Sequence, residues 1–277
     1  MTTFLLNMAD RYLLYIDILG FSDLVAGSDE RIRDLYEVIA SLNVHRHPSF
    51  RAIIFSDTLL VYNVEGQDTR SDRSYLVMYL CEFAQDLQRR LTKKDIFFRA
   101  VLVRGEFNHY ELNQLPCFFG QALIDAHESE KKIKAIGLFM HKSIIEDSVI
   151  FSTAEINEDF SFVFITQHLT TLEEEYGGLF PVDSELIEDT DQVYLLTPEV
   201  LYLGRIAHFA SSHSVPSVRA KYEATLDLFR HQYPETISFL EGNGFDVRAI
   251  SPSADWSKAI AQWPQEYGWA VKERIDH

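Results

Sequence analysis

The first apolar positions of the chain form a continuous run, which is typical of a strand buried on both faces. Residues 11–19 (RYLLYIDIL) are nearly all apolar, and the run ends at Gly20. After a short turn, Ser28 is well suited to cap a helix whose first turn is acidic. The pattern predicts a buried strand followed by a helix that begins at about residue 28.

A second apolar stretch, residues 51–64 (RAIIFSDTLLVYNV), is divided in the middle by Ser56-Asp57. Two apolar runs separated by two turn-forming residues predict a β-hairpin. Asp57 therefore lies at or near the tip of this hairpin.

The remaining periodicity predicts a mixture of helices and strands. Helical spacing covers about 73–90, a second helix follows Gly120, and further strands are predicted at 96–104, about 106–110, near Leu138 and at 192–196. A mixed order of this kind is typical of α+β or α/β proteins with helices packed on a sheet, and we expect an α+β fold. We divide the chain into a core domain, 1–200, with an insertion at about 155–190, and a helical C-terminal extension, 201–277.

Composition narrows the classes of function. The formal charge is 25 − 42 = −17, and an acidic surface repels nucleic-acid backbones, so nucleic-acid binding is not expected. The two cysteines, Cys81 and Cys117, are not spaced as a disulfide framework, which favours the reducing cytoplasm. No run reaches the roughly 18 apolar residues that span a bilayer, so no membrane segment is expected.

Two aspartates are the candidate chemical groups. Asp17 interrupts an apolar strand, where a buried carboxylate needs a cation or a basic partner. If the hairpin lies beside the first strand, Asp17 and Asp57 converge, and carboxylates are ligands for hard divalent ions. Each acid also has a simpler interpretation, because Asp57 is typical of a turn and Asp17 could belong to a structural ion pair. The turn at Leu19, Gly20 and Phe21 offers backbone N–H groups of the kind that bind phosphates.

Four segments resemble the class III adenylate and guanylate cyclases. These are YIDILGFS (15–22), FSDTLLVY (55–62), FRAVLVRG (98–105) and FFGQALIDAHESE (118–130). The resemblance is closer to the pyrimidine nucleotide cyclases of Pycsar antiphage systems. It implies a ferredoxin-like, palm-type cyclase sheet, and ligation of two Mn²⁺ or Mg²⁺ ions by Asp17, Asp57 and the carbonyl of Ile18.

The sequence departs from the purine cyclases at the positions that read the base and stabilise the transition state. The base-reading positions hold Ile53 and Cys117, and the positions of the catalytic Asn and Arg hold Ile124 and Glu128. The resemblance instead points to Phe50 and Arg99 as substrate-binding residues for a pyrimidine. Arg99 has only donors, which favours uracil, although a structural ion pair is an equal alternative. Candidates to replace the missing arginine are Lys131, Lys132 and Arg104, and we expect His127 to be a packing or surface residue.

The resemblance therefore implies an enzyme that converts UTP to 3′,5′-cyclic UMP and pyrophosphate. It also implies a homodimer with composite sites, and a separate effector that senses the cyclic nucleotide during phage infection. Three alternatives stay open at this point: a cytidylate cyclase acting on CTP, a cyclase-like nucleotide-sensing module without turnover, and a dinucleotide cyclase.

Overall fold

The computed structural model describes residues 9–64, 69–177, 179–188 and 191–263, which fall into two compact units. The first unit comprises Met1–Gln88 and Ile96–Ile165, and the second comprises Arg89–Asp95 and Thr166–His277. The predicted boundary between a core domain and a C-terminal extension at residue 200 stays a prediction.

Among the described residues, every strand lies in the first unit. Its elements are β1 (Asp10–Ile18), α1 (Phe21–Gly27), α2 (Asp29–Ala40), β2 (Phe50–Phe55), β3 (Thr58–Asn63), α3 (Arg70–Thr92, whose last turn belongs to the second unit), β4 (Phe98–Glu106), β5 (Asn108–Leu112), β6 (Leu115–Phe119), α4 (Gln121–Lys132), β7 (Gly137–His141), β8 (Thr153–Glu155) and β9 (Phe160–Val163). The predicted first strand, hairpin, long helix and strand near Leu138 are confirmed, and Ser28 caps α2 by accepting the Arg31 N–H.

Seven of the strands form one sheet in the order β2-β3-β1-β4-β7-β9-β8, while β5 and β6 form a separate hairpin. The β4–β7 pair is parallel, and the other pairs in the sheet are antiparallel. Together with helices packed on the sheet, this arrangement confirms the α+β class. Strand β9 lies within the segment 155–190, whose description as an insertion stays a prediction.

The position of β1 explains its apolar run. It pairs with β3 on one side and β4 on the other, and residues 12–16 are buried. A central strand covered on both faces needs apolar residues at consecutive positions rather than at alternate ones. Helix α4 packs against β4 and β1.

The second unit is helical. It contains α5 (Gln167–Tyr176), α6 (Ser184–Glu188), α7 (Gln192–Ser212), α8 (Pro216–Gln232), α9 (Pro234–Gly242) and α10 (Ser257–Ile260). The strand predicted at 192–196 is wrong, because these residues begin α7. Residues 264–277 of the predicted tail lie outside the described residues. Among the helices that the structure describes, none is long and apolar enough to cross a membrane.

A buried carboxylate joins two helices of the second unit. Glu199 of α7 accepts the backbone N–H groups of Leu169, at 2.9 Å, and His168, at 3.4 Å, both in the first turn of α5. Arg89 lies 3.9 Å away. Burial raises the pKa of Glu199 to about 8, although these partners oppose the shift. At neutral pH, the folded protein therefore keeps a proton that Glu199 releases on unfolding.

This raised pKa predicts a loss of stability as the pH rises from about 6.5 to about 8. In that window the folded state binds one proton more than the unfolded state, so the free energy of unfolding falls by about 2 kcal/mol. Below pH 6.5, His168 opposes the effect of Glu199 on stability. Burial lowers the pKa of His168 to about 4, so between pH 4 and 6.5 its imidazole binds a proton in the unfolded state and not in the folded state. We expect Glu199→Gln, which keeps an acceptor for both amides, to remove the loss in urea unfolding experiments. If the variant loses stability over the same pH range, a titratable group other than Glu199 causes the loss.

Candidate active site

The two candidate acids lie at the same end of neighbouring strands. Asp17 of β1 is directly opposite Thr58 of β3, the residue that follows Asp57. The Ile18 N–H donates to the Asp57 carbonyl over 2.9 Å, which ties the hairpin tip to the end of β1. Both aspartates are partly buried. The register of the sheet therefore brings the backbones of Asp17 and Asp57 to the same end of β1 and the hairpin.

The pKa of Tyr15 is raised, and the causes include the negative charges of both candidate acids. Tyr15 precedes Asp17 by two residues and shares its face of the sheet. Burial is the main cause that raises its pKa, the contact with Thr58 lowers it, and the negative charges of Asp17, Glu130 and Asp57 raise it further.

The tip of the hairpin is a tight two-residue turn. Ser56 has φ 56°, in the left-handed region that glycine adopts most easily. The Tyr36 hydroxyl donates to the Ser56 carbonyl over 3.1 Å and fixes this turn to α2. The left-handed residue thus orients Asp57 back toward the end of β1.

The turn after β1 offers some, but not all, of the predicted phosphate donors. The Leu19 N–H is used by the Phe97 carbonyl at 2.9 Å. Gly20 is left-handed, with φ 71°, and its carbonyl begins α1 by accepting from residues 23 and 24. Within the described ranges, the N–H groups of Phe21 and Ser22 donate to no acceptor, so these two remain available to a ligand.

The side chain of Phe50 is buried against helix α3 and is not exposed on the protein surface. Its side chain is 1% exposed and stacks on Tyr79 of α3, with ring centroids 4.1 Å apart and planes 15° apart. His47 meets the same ring edge-on, at 5.1 Å. One face of Phe50 is therefore already covered, and its role in substrate binding stays a prediction.

Arg99 is held in a buried ion pair, as one interpretation of the sequence required. It is opposite Asp17 in the register of β1 and β4, and its Nη1 lies 2.9 Å from the Glu130 carboxylate. Nη1 also donates to the Glu130 carbonyl and Nε donates to the Ala135 carbonyl. Nη2 donates to no acceptor in the described part of the chain, so a substrate-binding role stays a prediction that this atom could serve.

The donor set at the acid pair fits a divalent cation of the hard type. Within the described residues, no group of three or more His, Cys, Asp or Glu side chains is placed to hold a metal ion. The set is two carboxylates, Asp17 and Asp57, with backbone carbonyls such as that of Ile18. Mg²⁺ and similar ions are often held by one or two carboxylates, while water and substrate phosphates complete the coordination.

Helix α4 carries the two residues that stand where the class III cyclases have Asn and Arg. Ile124 is 51% exposed and Glu128 is exposed, and neither an alkyl group nor a carboxylate offers a donor. His127, expected to be a packing or surface residue, lies with its Nδ1 3.0 Å from the Tyr15 hydroxyl. Sequence reasoning missed this contact and the Glu130 pair. The spacing of residues 123, 127 and 130 on one helical face was the available signal.

Of the three cations considered as replacements for the missing arginine, Arg104 is paired with Asp10 at 2.8 Å. Lys131 and Lys132 are exposed on α4. The structure therefore favours none of them over the others as a group that reaches the acid pair.

No family model matches the sequence, and no curated protein matches it. Similar solved structures include the adenylyl cyclase CyaB from P. aeruginosa, with 10% identity, a TM-score of 0.40 and coverage of 56% of this chain and 93% of that chain. A second is the dimeric guanylyl cyclase domain of the RhoGC fusion protein from the aquatic fungus Blastocladiella emersonii, with 14% identity, a TM-score of 0.40 and coverage of 55% and 93%. A third is a class III adenylyl cyclase-like ATP-binding protein from Pseudomonas aeruginosa, with 16% identity, a TM-score of 0.36 and coverage of 50% and 35%. Likeness at this level does not by itself assign an activity.

The ion pair of Arg99 predicts a large effect on stability. Arg99→Met leaves the Glu130 carboxylate buried without its cation, and we expect a loss of about 3–5 kcal/mol in the free energy of unfolding. Replacing both partners, as Arg99→Met with Glu130→Leu, removes the isolated charge and should recover most of that loss. Urea unfolding of the three proteins checks this, and equal stabilities for the single and double variants would contradict it.

Proposed function

We propose that this protein is a nucleotidyl cyclase that converts UTP to 3′,5′-cyclic UMP and pyrophosphate. The observation that carries the proposal is the main-chain hydrogen bond that places Asp57 beside the end of β1, next to Asp17. Two carboxylates on adjacent strands, followed by a turn with unused N–H groups, provide oxygen ligands for cations and donors for phosphates. This is the arrangement implied by the sequence resemblance to class III cyclases.

In this proposal, Asp17, Asp57 and the Ile18 carbonyl hold two divalent ions, Mn²⁺ or Mg²⁺. Such ions, when bound, lower the pKa of the ribose 3′-hydroxyl and neutralise the triphosphate. The chain itself binds and orients the substrate, since the N–H groups of Phe21 and Ser22 are suited to phosphate oxygens. Leu19 and Gly20 act through the shape of the turn.

The choice of a pyrimidine is supported by the absence of the purine-reading side chains. Ile53 and Cys117 cannot provide the polar contacts that the purine cyclases place at these positions. Arg99 retains an unused donor at Nη2 after its contacts with Glu130 and Ala135 are counted. A guanidinium donates but does not accept, so it suits a uracil carbonyl better than a cytosine amino group. Phe50, stacked on Tyr79, would act by setting the width of the base pocket.

A homodimer forms part of the same proposal. Phe55 at the hairpin tip is 73% exposed, and Leu115 at the start of β6 is 61% exposed. Large apolar side chains that remain exposed together with catalytic groups are suited to contact a second copy. We further propose that the product is a cytoplasmic second messenger in antiphage defence, read by a separate cyclic-nucleotide-sensing effector.

A second candidate function is a cyclase-like module that binds a nucleotide without turnover. Ile124 and Glu128 favour it, because neither supplies the amide or guanidinium that class III cyclases use on this helix. Two further alternatives are a cytidylate cyclase and a dinucleotide cyclase. Only the identity of the reaction product distinguishes them from a uridylate cyclase.

Incubation of the purified protein with each of the four NTPs and Mn²⁺, followed by mass spectrometry, tests these functions together. We expect cyclic UMP from UTP as the main product. We expect Asp57→Ala to lose it entirely while the protein remains folded, because one of the two carboxylates for the cations is gone. Asp159→Ala, the same change at an exposed aspartate of the first unit, should keep full activity.

Each other outcome identifies a different function. Cyclic CMP would change the substrate, and linked dinucleotides would change the reaction class. Tight UTP binding without any cyclic product would identify the sensing module. Full turnover by Asp57→Ala would remove the two-carboxylate mechanism.

A further inference from the structure

His127, on helix α4, forms a hydrogen bond with Tyr15 of β1 and has no role in the proposed function so far. The Tyr15 hydroxyl lies 3.0 Å from Nδ1 of His127, and the two rings have centroids 5.8 Å apart. Tyr15 is 5% exposed, whereas His127 is exposed. A buried phenol thus holds a solvent-facing imidazole on the side of the sheet that carries Asp17.

The hydrogen bond determines what the other ring nitrogen can do. The second neighbour of the Tyr15 hydroxyl, Thr58 Oγ1, is farther away, at 3.4 Å. When the phenol donates to Nδ1, a neutral imidazole carries its ring proton on Nε2, whereas Nε2 is an acceptor when Nδ1 donates to the phenol. In the charged imidazolium both nitrogens carry protons. Nε2 is therefore a hydrogen-bond donor in the imidazolium and in the neutral tautomer that accepts from Tyr15.

This donor is not used by the protein itself. Within the described residues, Nε2 of His127 has no acceptor, and the ring makes only the contacts with Tyr15. By contrast, His47 uses both ring nitrogens, because its Nε2 bonds to the hydroxyl of Tyr75 and its Nδ1 accepts from the Ser49 N–H. An oriented donor with no acceptor, next to two carboxylates, is suited to an anionic ligand.

We propose that His127 is a catalytic residue that donates from Nε2 to a phosphate oxygen of the bound nucleoside triphosphate, and that Tyr15 is its positioning residue. The inference rests on the proposed function. It assigns to His127 the task for which position 128 lacks an arginine. His127 contacts Tyr15, which lies two positions before Asp17, whereas Arg104, one of the cations considered for that task, is bound by Asp10.

In the reaction, the bond between the ribose 3′-oxygen and the α-phosphorus forms. The bond between the α-phosphorus and the oxygen that leads to the β-phosphorus breaks. Pyrophosphate leaves with that oxygen, and the 3′-hydroxyl proton passes to water. Negative charge grows on the phosphate oxygens in the transition state, and a preoriented donor stabilises them more there than in the ground state.

The test compares kcat and KM for UTP across five proteins. We expect His127→Ala to lower kcat by about 10²-fold, as loss of one such donor does, with KM changed by less than about threefold. His127→Gln, whose amide nitrogen can reach the position of Nε2, should retain more activity than His127→Ala. Tyr15→Phe should also lower kcat, and combined with His127→Ala it should add little further loss, because both changes remove one function.

A control variant and a binding measurement separate catalysis from folding. His141→Gln alters another hydroxyl-bonded imidazole of the first unit and should leave kcat unchanged. Calorimetric binding of a UTP analogue with a methylene between the α- and β-phosphorus, with Mn²⁺ present, should be nearly the same for wild type and His127→Ala. A merely structural role would instead weaken binding and lower the unfolding temperature together.

The failure of this inference is distinguishable from the failure of the proposed function. If wild type forms a cyclic nucleotide and His127→Ala does so at a similar rate, His127 is not catalytic and the cyclase proposal stands. If wild type forms no cyclic product from any NTP, both proposals are overturned.

Discussion

The hydrogen bond between the Ile18 amide and the Asp57 carbonyl is the constraint on which the candidate site depends. It ties the tip of the hairpin to the end of β1 and brings together the backbones of two aspartates that are 40 positions apart in sequence. The register of the sheet thus places both aspartates at the same end of neighbouring strands.

The parts of the fold that follow a simple period could be predicted from the sequence. Residues 11–19 and 51–64 carry strong strand patterns, and the structure forms β1 and the hairpin there. The segment 192–196 was misinterpreted because α7 is buried over most of its length. A helix that is apolar on all sides loses its period, and five apolar residues then resemble a strand.

Of the residues at the candidate site, the two aspartates could be predicted from the sequence, but the partners of Arg99 and Tyr15 could not. Asp17 and Asp57 stand out because each interrupts or ends an apolar run. The partners of Arg99 and Tyr15 lie 31 and 112 positions away, on a helix whose docking on the sheet no local pattern specifies. Long-range pairs of this kind are decided by tertiary packing, so the roles of Glu130 and His127 emerge only when α4 is in place.

The two-residue turn at Ser56 has a consequence for how this protein can change over evolutionary time. Side chains alternate along β3, so one inserted or deleted residue at the tip would turn Thr58, Leu60 and Tyr62 to the opposite face. Exchange of Ser56 for glycine or asparagine, by contrast, preserves the left-handed turn. Natural variation in this hairpin should therefore be rich in replacements and almost free of gaps.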